Sequence, residues 1–180
     1  MSDLIIENGV LVKYTGTEEN IVIPDSVTEI EQYAFSGCVS LKKVIIPEGI
    51  DEIPCGAFIG CEALETVSLP DSLEEISDEA FAGCLSLKEI ELPRSVKWID
   101  DSAFHLCPEL KNVTIPASAV EVRREAFYVC AALERVTVLS SETWIGYHAF
   151  ARCPDLTICA PAGSHAEEYA RENGIPFESI

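Results

Sequence analysis

The chain has 180 residues, 48 % of them hydrophobic, which suffices for one domain with a substantial core and argues against a disordered segment. Twelve basic residues stand against 31 acidic ones, a formal charge of −19. That sign excludes the phosphate-neutralising surface that nucleic acid binding needs, and no apolar run is long enough for a membrane-spanning helix. The charge chiefly keeps an apolar scaffold soluble, although an acidic face also attracts basic partners or cations.

In chain order, residues 4–23 read as strands around Glu7-Asn8-Gly9, a favourable hairpin turn. A repeat follows. Ala-Phe recurs at 34/35, 57/58, 80/81, 103/104, 126/127 and 149/150, a constant spacing of 23. Cysteine follows each Phe by three (Cys38, Cys61, Cys84, Cys107, Cys130, Cys153), and Leu follows each of those by three, from Leu41 to Leu156. Proline keeps a column at Pro24, Pro47, Pro70, Pro93 and Pro116, then lapses to Leu139. Each unit begins Leu-x-x-Val-x-Ile-Pro, whose period of two predicts a short strand with one face inward, ended by a proline that cannot extend a ladder. Pairs such as Val27/Ile30, Ile50/Ile53 and Val96/Ile99 predict a second, shorter strand. Ala-Phe-x-x-Cys then places three apolar residues in one helical turn. One repeat cannot bury its apolar face alone, and stacking like columns buries them all. Near the end, Ser164-x-x-Glu167 reads as a capping box opening a helix that stops at Asn173-Gly174, with Pro176 beyond.

These columns resemble the BspA-type leucine-rich repeat. Glu7-Asn8-Gly9-Val10 with Tyr14-Thr15-Gly16 is similar to that family's N-terminal hairpin, and Gly163 to Phe177 is similar to its C-terminal cap. The resemblance implies an α/β repeat solenoid: a right-handed superhelix of short parallel strands, with a β-hairpin cap at 1–23, tandem repeats at 24–161 and a helical cap at 162–180. It also implies a non-catalytic protein-binding scaffold, the alternative being a structural, spacer or adhesin-type domain of a bacterial cell-surface protein. A protein or peptide partner is expected, with no cofactor, no nucleic acid and no membrane insertion. The chain is expected to be a monomer, with weak self-association as a further option. Met1-Ser2-Asp3 lacks a basic leader region, so a native start at Met1 implies the cytoplasm, and excision from a longer protein implies the cell surface.

Two sets of residues are candidates for binding. Outward positions of the first strands are Lys43/Ile45, Thr66/Ser68, Glu89/Glu91, Asn112/Thr114 and Arg135/Thr137, a dense polar array equally suited to protein contacts and to plain solvent exposure. The column before the second inward Ile reads Glu29, Glu52, Glu75, Trp98, Glu121, Trp144, so both tryptophans flank Glu121 in one outward column, where rings fold over neighbouring stems or anchor a partner. A third break in the pattern puts Leu106 and Val129, beside His105 and Tyr128, where the first three copies have glycine. The column of six cysteines reads as core filler, because zinc needs four converging ligands and a solenoid column lies in a line. Cys55 and Cys159, outside it, read as the more reactive thiols. Acidic pairs such as Asp100-Asp101 read as a solvated face, and Glu142, in an apolar column, predicts a distorted last repeat. His105, His148 and His165 occupy unrelated columns, so no catalytic set and no metal site is expected.

Overall fold

A computed structural model describes residues 3–180; Met1 and Ser2 of the expected cap lie outside the described residues. The chain opens with β1 (Leu4–Glu7) and β2 (Val10–Tyr14), paired antiparallel. The turn between them puts both Asn8 (φ 52°) and Gly9 (φ 84°) in the left-handed region, as the twist of a two-residue hairpin requires. The coils follow, each offering a first and a second strand: β3 (Asn20–Val22) and β4 (Glu29–Ile30), β5 (Lys43–Ile45) and β6 (Glu52–Ile53), β7 (Thr66–Ser68) and β8 (Glu75–Ile76). The fourth coil has only β9 (Trp98–Ile99). Next come β10 (Asn112–Ile115) and β11 (Glu121–Val122), β12 (Arg135–Val138) and β13 (Trp144–Ile145), then β14 (Thr157–Ala160), α1 (His165–Asn173) and β15 (Phe177–Ser179). From β3 onward every pairing is parallel, and between successive coils the register advances by 23, as in Lys43↔Thr66, falling to 22 at the last coil, as in Val136↔Ile158.

The core is built from the columns that the spacing identifies. Val44, Ile46, Ile53, Leu64 and most of their equivalents are buried, with Leu69 and Leu92 half-buried. The six phenylalanines form one stack, with successive centroids 4.9–5.3 Å apart. Tyr14 closes it at one end (5.5 Å) and Tyr169 meets Phe150 edge-on at the other (5.9 Å). Each such ring contact adds roughly 0.5–1.5 kcal/mol beyond area burial.

The Ala-Phe-x-x-Cys segments form tight turns rather than helix. Cys61 N donates to Phe58 O within the turn (3.1 Å), while Phe58 N donates to Ala80 O of the next coil (2.8 Å). Alternate amides thus point along the stack, which an α-helix would not allow. Two positions per turn are left-handed: Tyr33, Gly56, Glu79, Ser102, Glu125 and His148 in one column, and Gly37, Gly60, Gly83, Leu106, Val129 and Arg152 in the other.

At the C-terminal end, Ser164 caps α1 by accepting from Glu167 N (3.2 Å), and Gly174 (φ 66°) ends it, in agreement with the residues quoted for the box and the stop. The reciprocal bond goes to Gly163 N (2.6 Å) rather than to the cap residue. Pro176 leads into β15, which adds to β14 through Ile158↔Phe177 and was not foreseen.

Candidate functional site

The first-strand ladder brings most of the predicted outward residues into two rows. Lys43↔Thr66, Glu89↔Asn112 and Asn112↔Arg135 are in register along one row, and Ile45↔Ser68 and Thr114↔Thr137 along the other. Lys43, Ser68, Glu89, Glu91, Asn112, Thr114 and Arg135 are exposed, and Ile45, Thr66 and Thr137 are half-buried. The rows extend further than the sequence reading took them. Asn20 and Val22 pair with Lys43 and Ile45, and Thr157 pairs with Arg135. Counting back 23 from Lys43 would have found the first two.

The ladder is not continuous. β7 ends one three-stranded sheet and β10 begins another of four strands, and Glu89–Glu91 is no strand at all, holding a single bridge from Glu89 to Asn112. This corrects the expectation of a strand in every coil. Other first-strand junctions carry donations between coils, as Glu65 N and Thr66 N to Lys42 O (2.8 and 3.1 Å), and the second-strand face has a gap of its own, since β4 pairs with β2 and not with β6. Among the described residues no backbone bond joins residues 65–69 to residues 88–92. A cleft of about 970 Å³ opens there, lined by Thr66, Ser68, Asp71, Glu89, Glu91 and Arg94 among others. Glu is a poor strand former, and no other coil carries two of them at the outward positions.

The second-strand sheet runs β6-β8-β9-β11-β13 without interruption and sets Glu121 between Trp98 and Trp144. The two rings differ. Trp98 is half-buried with Lys97 Nζ 5.6 Å from its centroid, whereas Trp144 is 49 % exposed. Glu121 is held by Arg123 Nε at 3.1 Å.

Beside this sheet lies a group that the sequence reading placed in solvent. Asp100 is buried, with Oδ2 3.1 Å from Arg123 Nη1 and Oδ1 lacking a partner among the described residues. Burial pushes its carboxyl up to about 6, outweighing the Arg123 charge, with Glu75 and Asp78 adding to the rise. An Asp-Asp pair carries no sequence signal of burial; the column does, since Ser77 before it is buried too.

On the turn face, Leu106 and Val129 take the left-handed position with φ 57° and 62°. His105 stacks on Tyr128 (5.2 Å), and Arg152 lies 5.5 Å from the same ring. At Glu142 the last repeat does distort. The carboxylate turns out to solvent, and Thr143 is buried instead with Oγ1 donating to Ala119 O at 2.7 Å. Ser72, Ser95 and Ser118 make the equivalent bond in earlier coils.

All eight cysteines are free. Five of the column are buried, each thiol donating to the carbonyl of the preceding coil's Phe, from Cys61 to Phe35 O (3.1 Å) through Cys153 to Phe127 O (3.3 Å). Burial pushes Cys84 up to about 12 and Cys153 to about 11. Cys159 does not fit the expectation of a reactive thiol: it is 1 % exposed, lies against Arg135 and Glu178, and burial raises its pKa. Cys55 is half-buried, 3.4 Å from Tyr33 Oη. Among the described residues no group of three His, Cys, Asp or Glu side chains is placed to hold a metal ion.

A family model described as the BspA type leucine rich repeat region matches six copies, over residues 6–62 and 28–157. The chain is similar to the solved leucine-rich repeat protein of T. pallidum, with 29 % identity, a TM-score of 0.77, and 94 % of this chain and 89 % of that one covered. It is similar to the pneumococcal vaccine antigen PcpA at 27 % identity and TM-score 0.83, covering 96 % of this chain and 44 % of that one. It is also similar to a leucine-rich cell surface protein of Faecalibacterium prausnitzii at 27 % identity and TM-score 0.65, covering 91 % and 52 %. The chain therefore spans about half the length of the latter two. No curated protein matches it by sequence.

Proposed function

The chain belongs to the BspA-type leucine-rich repeat family, and from that premise we propose that it is a non-catalytic scaffold that binds a protein or peptide through its first-strand ladder. The observation that carries this reading is the ladder itself: two registered rows of mostly exposed polar side chains, from Asn20/Val22 to Arg135/Thr137, fixed on a stacked core. Such an array is pre-organised, so a partner gains contacts without the chain losing much freedom. Trp144 is a second anchor candidate. Its exposed ring offers large apolar area at small entropic cost, whereas Trp98 is already covered by Lys97. The test is a pull-down comparing the native chain with Lys43→Ala/Arg135→Ala and with Trp98→Ala/Trp144→Ala. The ladder variant is expected to lose the partner at least tenfold. A partner retained by both variants would remove these residues from the binding face.

A second reading is a structural or adhesin-type module of a bacterial cell-surface protein. It is favoured by the Faecalibacterium cell surface protein, of which the chain spans 52 %. Surface labelling of intact source cells distinguishes the two locations: a protected chain would set this reading aside.

A further inference from the structure

The ladder break lies on one face only. Behind it, Glu75↔Trp98 and Ile76↔Ile99 stay paired, and Phe81 and Phe104 stack at 5.3 Å, within the range of every other coil. The opening is therefore a local parting of the first-strand face, with the core closed beneath it. Its two walls are β7 and residues 89–91, whose main-chain N–H and C=O groups along the gap have no strand partner. A second cleft of about 580 Å³ borders residues 88–92 on the β10 side. Glu89–Glu91 is thus open on the β7 flank, and on the β10 flank it is held only through the bridge from Glu89 to Asn112. An exposed strand edge is a template for one more strand.

The side chains around the opening define what fits. Glu89 and Glu91, two apart, present carboxylates on the same face of an extended segment, and Asp71 adds a third against Arg94 in the larger cleft, while Lys88 and Lys111 line the smaller one. Carboxylates only accept hydrogen bonds, and Lys and Arg only donate them. The overall charge of −19 steers a cationic segment toward the chain and repels anionic ones.

We propose that this break is the docking slot for an extended basic segment of a protein partner, which pairs its backbone with the open edge of β7 and sets Lys or Arg residues, two apart, on Glu89 and Glu91. The inference rests on the ladder being the binding face and adds the position and chemistry of the contact. Alternation matters because a strand points every second side chain to one face.

The test uses the full chain and three fluorescent nine-residue peptides with blocked ends: alternating Lys-Thr, the same composition in two blocks, and alternating Glu-Thr. Binding is read by polarisation at low and physiological salt. The alternating basic peptide is expected to bind at least tenfold tighter than the acidic one and severalfold tighter than the blocked one. Glu89→Gln/Glu91→Gln is expected to weaken it at least tenfold, and Ser68→Lys, which adds a like charge at an exposed position, is expected to do the same. Glu168→Gln/Glu172→Gln removes the same charge from exposed positions on α1, away from the slot, and is expected to change binding less than twofold. Amide exchange should slow at Thr66–Ser68 and Glu89–Glu91 when the peptide is added. Equal losses in the two glutamate variants, no preference for alternation, or no binding would each overturn the proposal. A native partner lost with Lys43→Ala/Arg135→Ala but kept by Glu89→Gln/Glu91→Gln would sink the slot and leave the binding face standing.

Discussion

At the scale of single residues, the cysteine column shows how a repeat turns a reactive group into a packing unit. Each buried thiol donates to a Phe carbonyl one coil back, and burial disfavours the thiolate that reacts. Alkylation of the native chain is therefore expected to label Cys38 and Cys55 at least tenfold faster than the other six, with full labelling only on unfolding; early labelling of Cys107 or Cys159 would contradict the packing. The left-handed column makes a second point. Val129 at φ 62° is a β-branched residue where Gly83 at φ 72° sits without strain. Gly83→Val is expected to cost about 1–2 kcal/mol and Val129→Gly to gain about 0.5 kcal/mol, net of its larger unfolded-state entropy. Paired denaturant titrations would check both signs. Asp100 gives a pH signature. Its carboxyl near 6 lies above the ordinary 3.8, so the folded state binds the proton more tightly. The group's contribution to stability is complete below about pH 4 and is lost as pH rises through 6. Asp100→Asn is then expected to stabilise by roughly 1–3 kcal/mol at pH 7.5 and to give no gain at pH 4, as read by urea unfolding. A loss at pH 7.5 would show that the Arg123 contact outweighs burial.

Among the elements, those dictated by a column were readable and those created by a departure from it were not. The hairpin at Asn8-Gly9, the strand pairs, the cap at Ser164 and the stop at Gly174 each follow from local chemistry that one sequence carries. The columns describe an average coil, and an average coil has a first strand. The loss of that strand at Glu89–Glu91 depends on how one coil meets the next, which no single column records. β15 was missed for a related reason: Phe177–Ser179 is no repeat and pairs only because α1 returns the chain beside β14. Of the candidate site, the outward residues were legible from period two, whereas the burial of Asp100 was not. The cap makes an element-scale prediction. Tyr169 Oη accepts from Phe150 N (3.1 Å), and α1 buries Ala166, Tyr169 and Ala170 over the open end of the stack. Ending the chain at residue 161 would expose Phe150 and Leu156. In a solenoid held by nearest-neighbour contacts, that truncation is expected to lower the melting temperature and produce concentration-dependent association in size-exclusion chromatography. An unchanged, monomeric profile would show that the cap is dispensable.

For the whole molecule, stacking coils around a closed phenylalanine core leaves the faces free to vary. Cross-coil ion pairs such as Lys42–Glu19 (2.8 Å) and Lys97–Glu74 (2.7 Å) decorate that scaffold, and exposed pairs of this kind contribute little to stability. Variation is concentrated where the scaffold tolerates it: in the outward rows of the first-strand ladder, at Trp144, and at the parted coil between Ser68 and Glu91. The proposed role turns on a protein partner held by the ladder. Its most direct test is quantitative affinity capture from the source cells, with the native chain and Lys43→Ala/Arg135→Ala run side by side, both first shown to melt at the same temperature. One saturable protein partner is expected, depleted at least tenfold by the ladder variant. The same partner held equally by both chains would contradict it.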